Sequence, residues 1–314
     1  MYEWNQLIQI VVNEIDDRIK LHDDMALTLR SLSRKLGYSE FHTTRRFKEF
    51  SGMLLTDYIR LRKLAFALIE VRDTNLKFLD IALKYGFNSH EAFTRAFKSA
   101  YGITPKKYRK NPLPVILRTK ISVFDRYFLG LGEIGMVKST EEIKVYFITI
   151  PSHKFLYVKN YKSNNYFDFW EEQSKKPGQD CDTICGLLDS IKGKLDGKDD
   201  SIGQYSGHIM ARIYEDNEKK AEAYGVRMSN DYNGATPENM LLIDIPEMEY
   251  IVFEHGPFNY EEESDSVRKN LEEAKNTFDI LKTEYKYDYS FGRISYFYFV
   301  PDSFIKLIQP VIKN

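Results

Sequence analysis

The feature that most constrains this chain is a segment that occurs twice. Residues 83–110 read LKYGFNSHEAFTRAFKSAYGITPKKYRK, and residues 32–60 read LSRKLGYSEFHTTRRFKEFSGMLLTDYIR. From Ser39 onward the copies keep register at 50 residues: Ser39 matches Ser89, Thr44-Arg45 matches Thr94-Arg95, Phe47-Lys48 matches Phe97-Lys98, Gly52 matches Gly102 and Tyr58 matches Tyr108. Gly37-Tyr38 matches Gly86-Phe87, with the first turn one residue shorter. Gly37 and Gly86 follow helical runs and can take the positive φ that ends a helix. Ser39 in one copy, and Asn88 and Ser89 in the other, can cap the helix that follows. Phe93, Ala96, Phe97 and Ala100 recur at three and four, which makes one apolar helical face. Opposite stand His90, Glu91, Thr94, Arg95 and Lys98. A helix, a tight turn and a capped second helix with a cationic outer face make a helix-turn-helix, whose second helix enters the major groove. A repeat that merely packs explains the apolar positions. It does not explain Thr and Arg at the same outward positions in both copies.

Charge is divided along the chain. Of 45 Lys and Arg and 46 Asp and Glu, residues 1–110 hold 20 and 13, and the remainder holds 25 and 33. A basic head of about +7 on an acidic body of about −8 fits nucleic-acid binding by the first part and another task for the second. At 314 residues two domains are expected. Cys181 and Cys185 make no disulfide framework, and their helical spacing without a second ligand pair points to buried thiols rather than zinc. No basic-then-apolar leader and no apolar run near 18 residues is present, so a cytoplasmic protein is expected.

Residues 2–20 place Leu7, Ile8, Val11, Val12, Ile15 and Ile19 on one stripe, a scaffold helix for the first helix-turn-helix. Residues 56–72 are long and uninterrupted and read as a connecting helix, with Arg60, Arg62 and Lys63 solvated or facing phosphate. The segment from about Trp4 to Arg109 resembles the AraC/XylS family DNA-binding domain, and IALKYGFNSHEAFTRAFKSAYGITPKKYR follows that family's signature nearly residue for residue. The resemblance implies two helix-turn-helices joined by a long helix, each reading one of two successive major grooves about 34 Å apart. It places Phe41, Thr44 and Arg45 in the first copy, and His90, Glu91, Thr94 and Arg95 in the second, at base-reading positions. Arg can bond guanine bidentately and Glu can accept from cytosine. Glu91 can equally pair with Arg95 one turn on. Lys48, Lys98, Lys106, Lys107 and Arg109 are the phosphate candidates. Double-stranded DNA is the implied partner, with RNA polymerase expected beside it.

Asn111-Pro112-Leu113-Pro114 breaks the pattern and marks a boundary. The expected organisation is a DNA-binding domain over 1–110, a linker over 111–142 and a second domain over 143–314. GLGEIG at 130–135 lacks the surrounding strand and helix of a nucleotide loop. The second domain also repeats, at an offset of 95: ITIP at 148–151 leads to FLYV, and IDIP at 243–246 leads to YIVF. Helices are expected from Tyr166 to about Lys175 and from about Glu261 to Tyr285. Strands are expected at 208–215 and 294–300. Two such halves about a pseudo-two-fold axis leave a cleft. IPEMEYIVFEHGPF is similar to a stretch of the GyrI-like effector-binding domain. The fold class expected is thus multi-domain: an all-α double helix-turn-helix followed by an α+β domain with an antiparallel sheet and two helices.

That second resemblance implies an aromatic cleft that binds lipophilic, often cationic, small molecules around a buried carboxylate. Aromatic faces attract cations, and a desolvated carboxylate favours them. The candidates are Tyr157, Tyr166, Phe169, Trp170, Tyr214, Tyr296 and Tyr298. The family's usual Glu position is held by Tyr296 or Phe297, leaving Glu249 and Glu254 as substitutes. No catalytic residue, metal or cofactor is expected. The reading is a transcription regulator, expected to activate, controlled by a small molecule or partner. The alternative is a small-molecule hydrolase or carrier tethered to DNA.

Overall fold

The computed structural model describes residues 2–23, 27–121, 143–163, 166–196, 207–215, 219–258, 260–300 and 304–314. They form two compact units. One holds the described residues up to 121 together with Asp182–Lys192, and the other holds the rest.

The first unit is helical. It comprises α1 (Tyr2–Lys20), α2 (Leu29–Leu36), α3 (Glu40–Ser51), α4 (Leu55–Asp73), α5 (Phe78–Lys84), α6 (His90–Tyr101) and α7 (Pro105–Lys110). The stripe of α1 is buried as its periodicity predicts: Ile8, Val11, Val12, Ile15 and Ile19 all belong to the core. The helix α4 is buried on nearly every side, with Leu64 through Ile69 inside without a break. Its 19 residues span about 28 Å at 1.5 Å per residue. The repeat extends into packing, because Phe47 meets Tyr58 at 5.4 Å in one copy and Phe97 meets Tyr108 at 5.9 Å in the other.

Arg62 corrects the expectation that the cations of α4 face solvent or phosphate. Its side chain is fully buried and bonds both oxygens of Asp16 on α1, at 2.8 and 2.5 Å, and the Arg118 carbonyl at 2.5 Å. A planar guanidinium can satisfy a carboxylate bidentately and still donate to a third group, which an ammonium on a flexible stem does less well.

The expected boundaries also change. Residues 113–121 run as an irregular segment along the helices, with Leu117, Thr119 and Ile121 buried. The Ile121 N–H donates to the Tyr58 hydroxyl at 3.3 Å. Further on, α9 (Cys181–Ser190) packs in the helical unit although chain order gives it to the second domain. Gly186 lets the 113–121 segment come close to this helix: a Cβ there would stand 2.4 Å from the Leu117 carbonyl oxygen. Cys181 and Cys185 lie on this helix half-buried, not in a core. The GLGEIG stretch lies outside the described residues.

The second unit is one antiparallel sheet with helices on one face. Its strands are β1 (Lys144–Ile150), β2 (His153–Asn160), β3 (His208–Tyr214), β4 (Lys220–Met228), β5 (Leu241–Ile245), β6 (Met248–His255), β7 (Tyr285–Tyr287), β8 (Ile294–Val300) and β9 (Phe304–Lys313). Its helices are α8 (Tyr166–Gln173) and α10 (Tyr260–Thr277). The order is β1-β6-β9-β8-β3-β4-β2-β5, with β7 also on β9. The pseudo-two-fold axis falls between β3 and β8. Each half lends its first strand to the other: β1 pairs with β6, and β5 pairs with β2. Pro151 and Pro246 supply the corners that permit this exchange, since neither has an N–H to continue a ladder. The helix α10 ends at Thr277, short of the expected Tyr285. Leu281, inside the expected helix, lies instead in a 3-10 turn at 77% exposure.

Strand alternation sorts the side chains. Phe155, Tyr157, Ile209, Ala211, Tyr250, Val252 and Tyr296 form the core on the open face. Ile251, Phe253, Leu307 and Val311 face α10, where Val267 and Leu271 cover them.

Candidate nucleic-acid interface

Each helix-turn-helix is built by the same local chemistry. Gly37 ends α2 at φ 74°, and its N–H bonds back to the Arg34 and Ser33 carbonyls. The Ser39 hydroxyl then accepts from His42 N at 3.2 Å and starts α3. In the second copy Gly86 takes φ 74° after α5, and the Ser89 hydroxyl accepts from Ala92 N at 3.1 Å. Both second helices end on a left-handed glycine, Gly52 at φ 75° and Gly102 at φ 72°.

Through residues 41–50 and 91–100 the succession of exposed, half-buried and buried positions is identical. Thr44 and Thr94 are half-buried, while Arg45, Arg95, Lys48 and Lys98 are exposed. The copies differ where Phe41 stands 79% exposed in one and Glu91 stands exposed in the other. All seven residues expected at base-reading positions therefore share the outer faces of two equivalent helices.

Local pairing distinguishes them. Arg45 bonds Glu49 at 2.9 Å, and Arg46 bonds the same carboxylate at 2.8 Å. Arg45 first, then Arg46, holds the Glu49 carboxyl below its usual range. Among the described residues Arg95 makes no ion pair, so the expected alternative of a Glu91–Arg95 bridge is not formed. Glu91 is instead held ionised by its own backbone N–H at the helix start, then by the Ser89 hydroxyl, with His90 and Arg95 adding charge. His90 stacks on Phe78 and shares a hydrogen bond with the Thr94 hydroxyl at 3.3 Å.

Lys48, Lys98, Lys106 and Lys107 are exposed. Arg109 is not: it donates to the Val71 carbonyl at 2.9 Å and lies 4.0 Å over the Phe78 ring. Burial lowers its pKa. Arg109 fastens α7 to α4 and α5, which explains why a basic tail can hold an internal arginine.

In the sheet unit the expected aromatic constellation is split between two faces. Tyr157, Tyr296 and Tyr298 lie on the open face with the core, where the Tyr296 hydroxyl meets His153 Nε2 at 2.7 Å. Glu254 is on that face too, bonded by the Tyr146 hydroxyl at 2.5 Å and by Lys306 at 2.8 Å. Tyr166, Phe169, Trp170 and Tyr214 lie on the helix-bearing face. There Phe169 and Trp170 are buried against Tyr224, and Tyr214 donates to Gln309 at 3.4 Å. Glu249 accepts from Tyr285 at 3.2 Å, away from both groups. Residues one apart on a strand point to opposite faces, so aromatics close in sequence need not meet.

The helix-bearing face carries a cleft of about 470 Å³. Met210, Arg212, Glu222, Ser295 and Phe297 floor it, Tyr166 edges one side, and Arg268, Lys269, Glu272 and Glu273 of α10 line the other. Arg212 Nε bonds Glu222 at 2.6 Å, and Glu222 is 5% exposed. Burial raises the Glu222 carboxyl above its usual range, against the pull of Arg212. Residue order carries a signal for this pair: a charged residue within each of two largely apolar strands needs a partner.

The "Helix-turn-helix domain" family matches residues 32–111. The Transposon Tn10 TetD protein of Escherichia coli is 38% identical over 112 residues, which cover 36% of this chain and 81% of that protein. The Right origin-binding protein of Escherichia coli K12 is 36% identical over 140 residues, 44% of this chain and 41% of its own length. The Probable transcription factor PqrA of Proteus vulgaris is 39% identical over 103 residues, 32% of this chain and 84% of that protein. The match thus spans most of the two short relatives and about two fifths of the long one. Two capped helix-turn-helix units on one connecting helix, with matched cationic faces, define a double helix-turn-helix DNA-binding protein. This chain belongs to the AraC/XylS family of transcription regulators. Among the described residues no helix is long and apolar enough to cross a membrane.

Proposed function

We propose that α3 and α6 read two successive major grooves of one asymmetric duplex of about two turns, with RNA polymerase as the partner of an activator. The observation that carries this reading is the equivalence of the two outer faces, position by position, in caps, in burial, in half-buried Thr and in exposed Arg and Lys. One chain supplies both reading heads, so a single copy suffices for one site. Phe41 offers an apolar edge to a thymine methyl, and Arg45 and Arg95 offer bidentate donors to guanine. Lys48, Lys98, Lys106 and Lys107 supply sequence-independent affinity through phosphates. Selection of bound duplexes from random-sequence DNA by the purified chain tests this. One asymmetric site of about two turns is the expected product. Recovery of no selective site at moderate salt overturns it.

The sheet unit is read as a GyrI-like sensor, a view supported by its pseudo-two-fold strand exchange. Its ligand occupies the cleft floored by Arg212 and Glu222. Because Glu222 is already matched by Arg212, this cleft does not favour a purely lipophilic cation. It suits a molecule that carries both charges on an apolar body, set against Phe297 and Met210. A library of zwitterionic and cationic amphiphiles, scored by thermal shift of the full chain, separates these classes. The zwitterions are expected to stabilise, and Glu222→Gln to remove that preference.

A further inference from the structure

Chain order places α9 after β1, β2 and α8 and before β3, inside the sequence of the sheet unit. Its packing places it in the helical unit, where its first turn meets Arg118 through Asp182 at 3.3 Å and its last turn meets the end of α4. Arg72, in the last turn of α4, is buried and donates Nη1 to the Ser190 carbonyl at 2.9 Å. The same guanidinium holds Asp73 at 2.9 and 2.7 Å, and Lys192 reaches Asp73 at 3.1 Å. Beside them the Val115 N–H donates to the Ser190 hydroxyl at 3.0 Å, and the Leu117 N–H to the Gly186 carbonyl at 3.3 Å. A Cβ on Gly186 would stand 2.4 Å from the Leu117 carbonyl oxygen, so no larger residue fits while α9 is docked.

The end of α4 is also where the second helix-turn-helix begins. Thr74 caps α4, α5 starts at Phe78, and Arg109 of α7 returns to the Val71 carbonyl. The same turn of α4 is therefore held from one side by α7 and from another by α9. No comparable contact falls on the first helix-turn-helix among the described residues; it is fastened by α1 through Trp4 against Tyr38 and His42.

We propose that α9 is a positioning element for the second reading head: docked on Arg72-Asp73 and on 115–118, it fixes the direction in which α5, and with it α6, is set on the end of the connecting helix. The second half-site is then read only as well as α9 is docked, although both ends of α9 run into the sheet unit. This rests on α3 and α6 as the DNA-reading helices.

Coupling between two equilibria is reciprocal, so DNA must strengthen the docking of α9 by the factor that docking strengthens DNA binding. The test is hydrogen exchange of the wild-type chain, free and bound to the duplex recovered by selection. The Val115 and Leu117 amides are expected to exchange several-fold more slowly in the complex, and not with a duplex whose second half-site is scrambled. Footprinting of Gly186→Val on the same duplex is the second arm. Affinity at the second half-site is expected to fall about tenfold, while the first keeps its protection. Unchanged exchange at Val115 and Leu117 on binding overturns the proposal. Equal loss at both half-sites in Gly186→Val also overturns it, because α9 would then serve only general stability. If the wild-type chain protects no duplex, the DNA reading itself fails and this proposal falls with it. Retained first-half protection separates the two failures.

Discussion

An arginine on this scaffold can stand exposed on a capped helix, clamp two elements or be a buried strut, and its surroundings decide which. Arg95 is exposed on a capped helix and unpaired among the described residues, which leaves its fork free for a base edge. Replacing it with Ala should relax preference at one position of the second half-site, by about 1–3 kcal/mol. Selection with the variant checks this, and an unchanged profile removes Arg95 from direct readout. Lys107, exposed on the short α7, should behave otherwise. Its loss should weaken all duplexes alike and lower the salt slope by about one. Titration at several salt concentrations measures that, and a sequence-selective loss would contradict a phosphate role. Arg62 is a strut. Asp16→Asn would strand its charge in the core at a cost of about 3–5 kcal/mol. Combining Asp16→Leu with Arg62→Met should recover part of that in thermal unfolding, since two apolar groups need no partner while the Arg118 carbonyl loses its donor.

The two helix-turn-helices are separate realisations of one plan, and each start depends on one hydroxyl. Ser39→Ala and Ser89→Ala should each cost about 1 kcal/mol, because each removes the acceptor for one unsatisfied N–H at a helix start. The caps share no partner, so the double variant should sum the singles to within about 0.5 kcal/mol in denaturant unfolding. A large departure from additivity would mean that the copies are coupled through α4 more tightly than their packing implies. The outer faces are not identical: Phe41 stands in one where Glu91 stands in the other, a difference that the proposed asymmetric site would require.

Stability across the molecule should depend on pH through the sheet unit. His153 is 1% exposed, and its Nδ1 lies 2.8 Å from the Pro151 carbonyl. A carbonyl can only accept, so Nδ1 carries the proton and Nε2 accepts from the Tyr296 hydroxyl. Burial lowers its pKa below the ordinary 6.5. The unfolded chain therefore takes up a proton at higher pH than the folded one. The contribution is fully present above pH 6.5 and is lost as pH falls through the folded value. Unfolding of the chain should require less denaturant at about pH 5 than at about pH 7, and His153→Gln should flatten that difference. A slope unaltered by the substitution would assign the acid sensitivity to other groups.

The doubled segment, its caps and its left-handed glycines were legible in residue order because they are local: a hydroxyl, a missing Cβ and a spacing of three or four act within one turn of chain. The corners at Pro151 and Pro246 and the internal repeat of the sheet were legible for the same reason. What residue order left open was every decision made across distance. Aromatics at Tyr157, Tyr166, Tyr214 and Tyr296 read as one cleft, yet strand parity and exchange put them on two faces. Arg212 and Glu222 meet only when β3 pairs with β4. Arg62 turned inward because Asp16, 46 positions away, waited on α1. The helix α9 meets the end of α4 through Ser190 and the 113–121 segment through Gly186, contacts between residues far apart in the chain. Local chemistry specified the elements and their outward charges. Burial, which depends on who arrives from elsewhere in the chain, decided which charges remain outward and which unit each element joins.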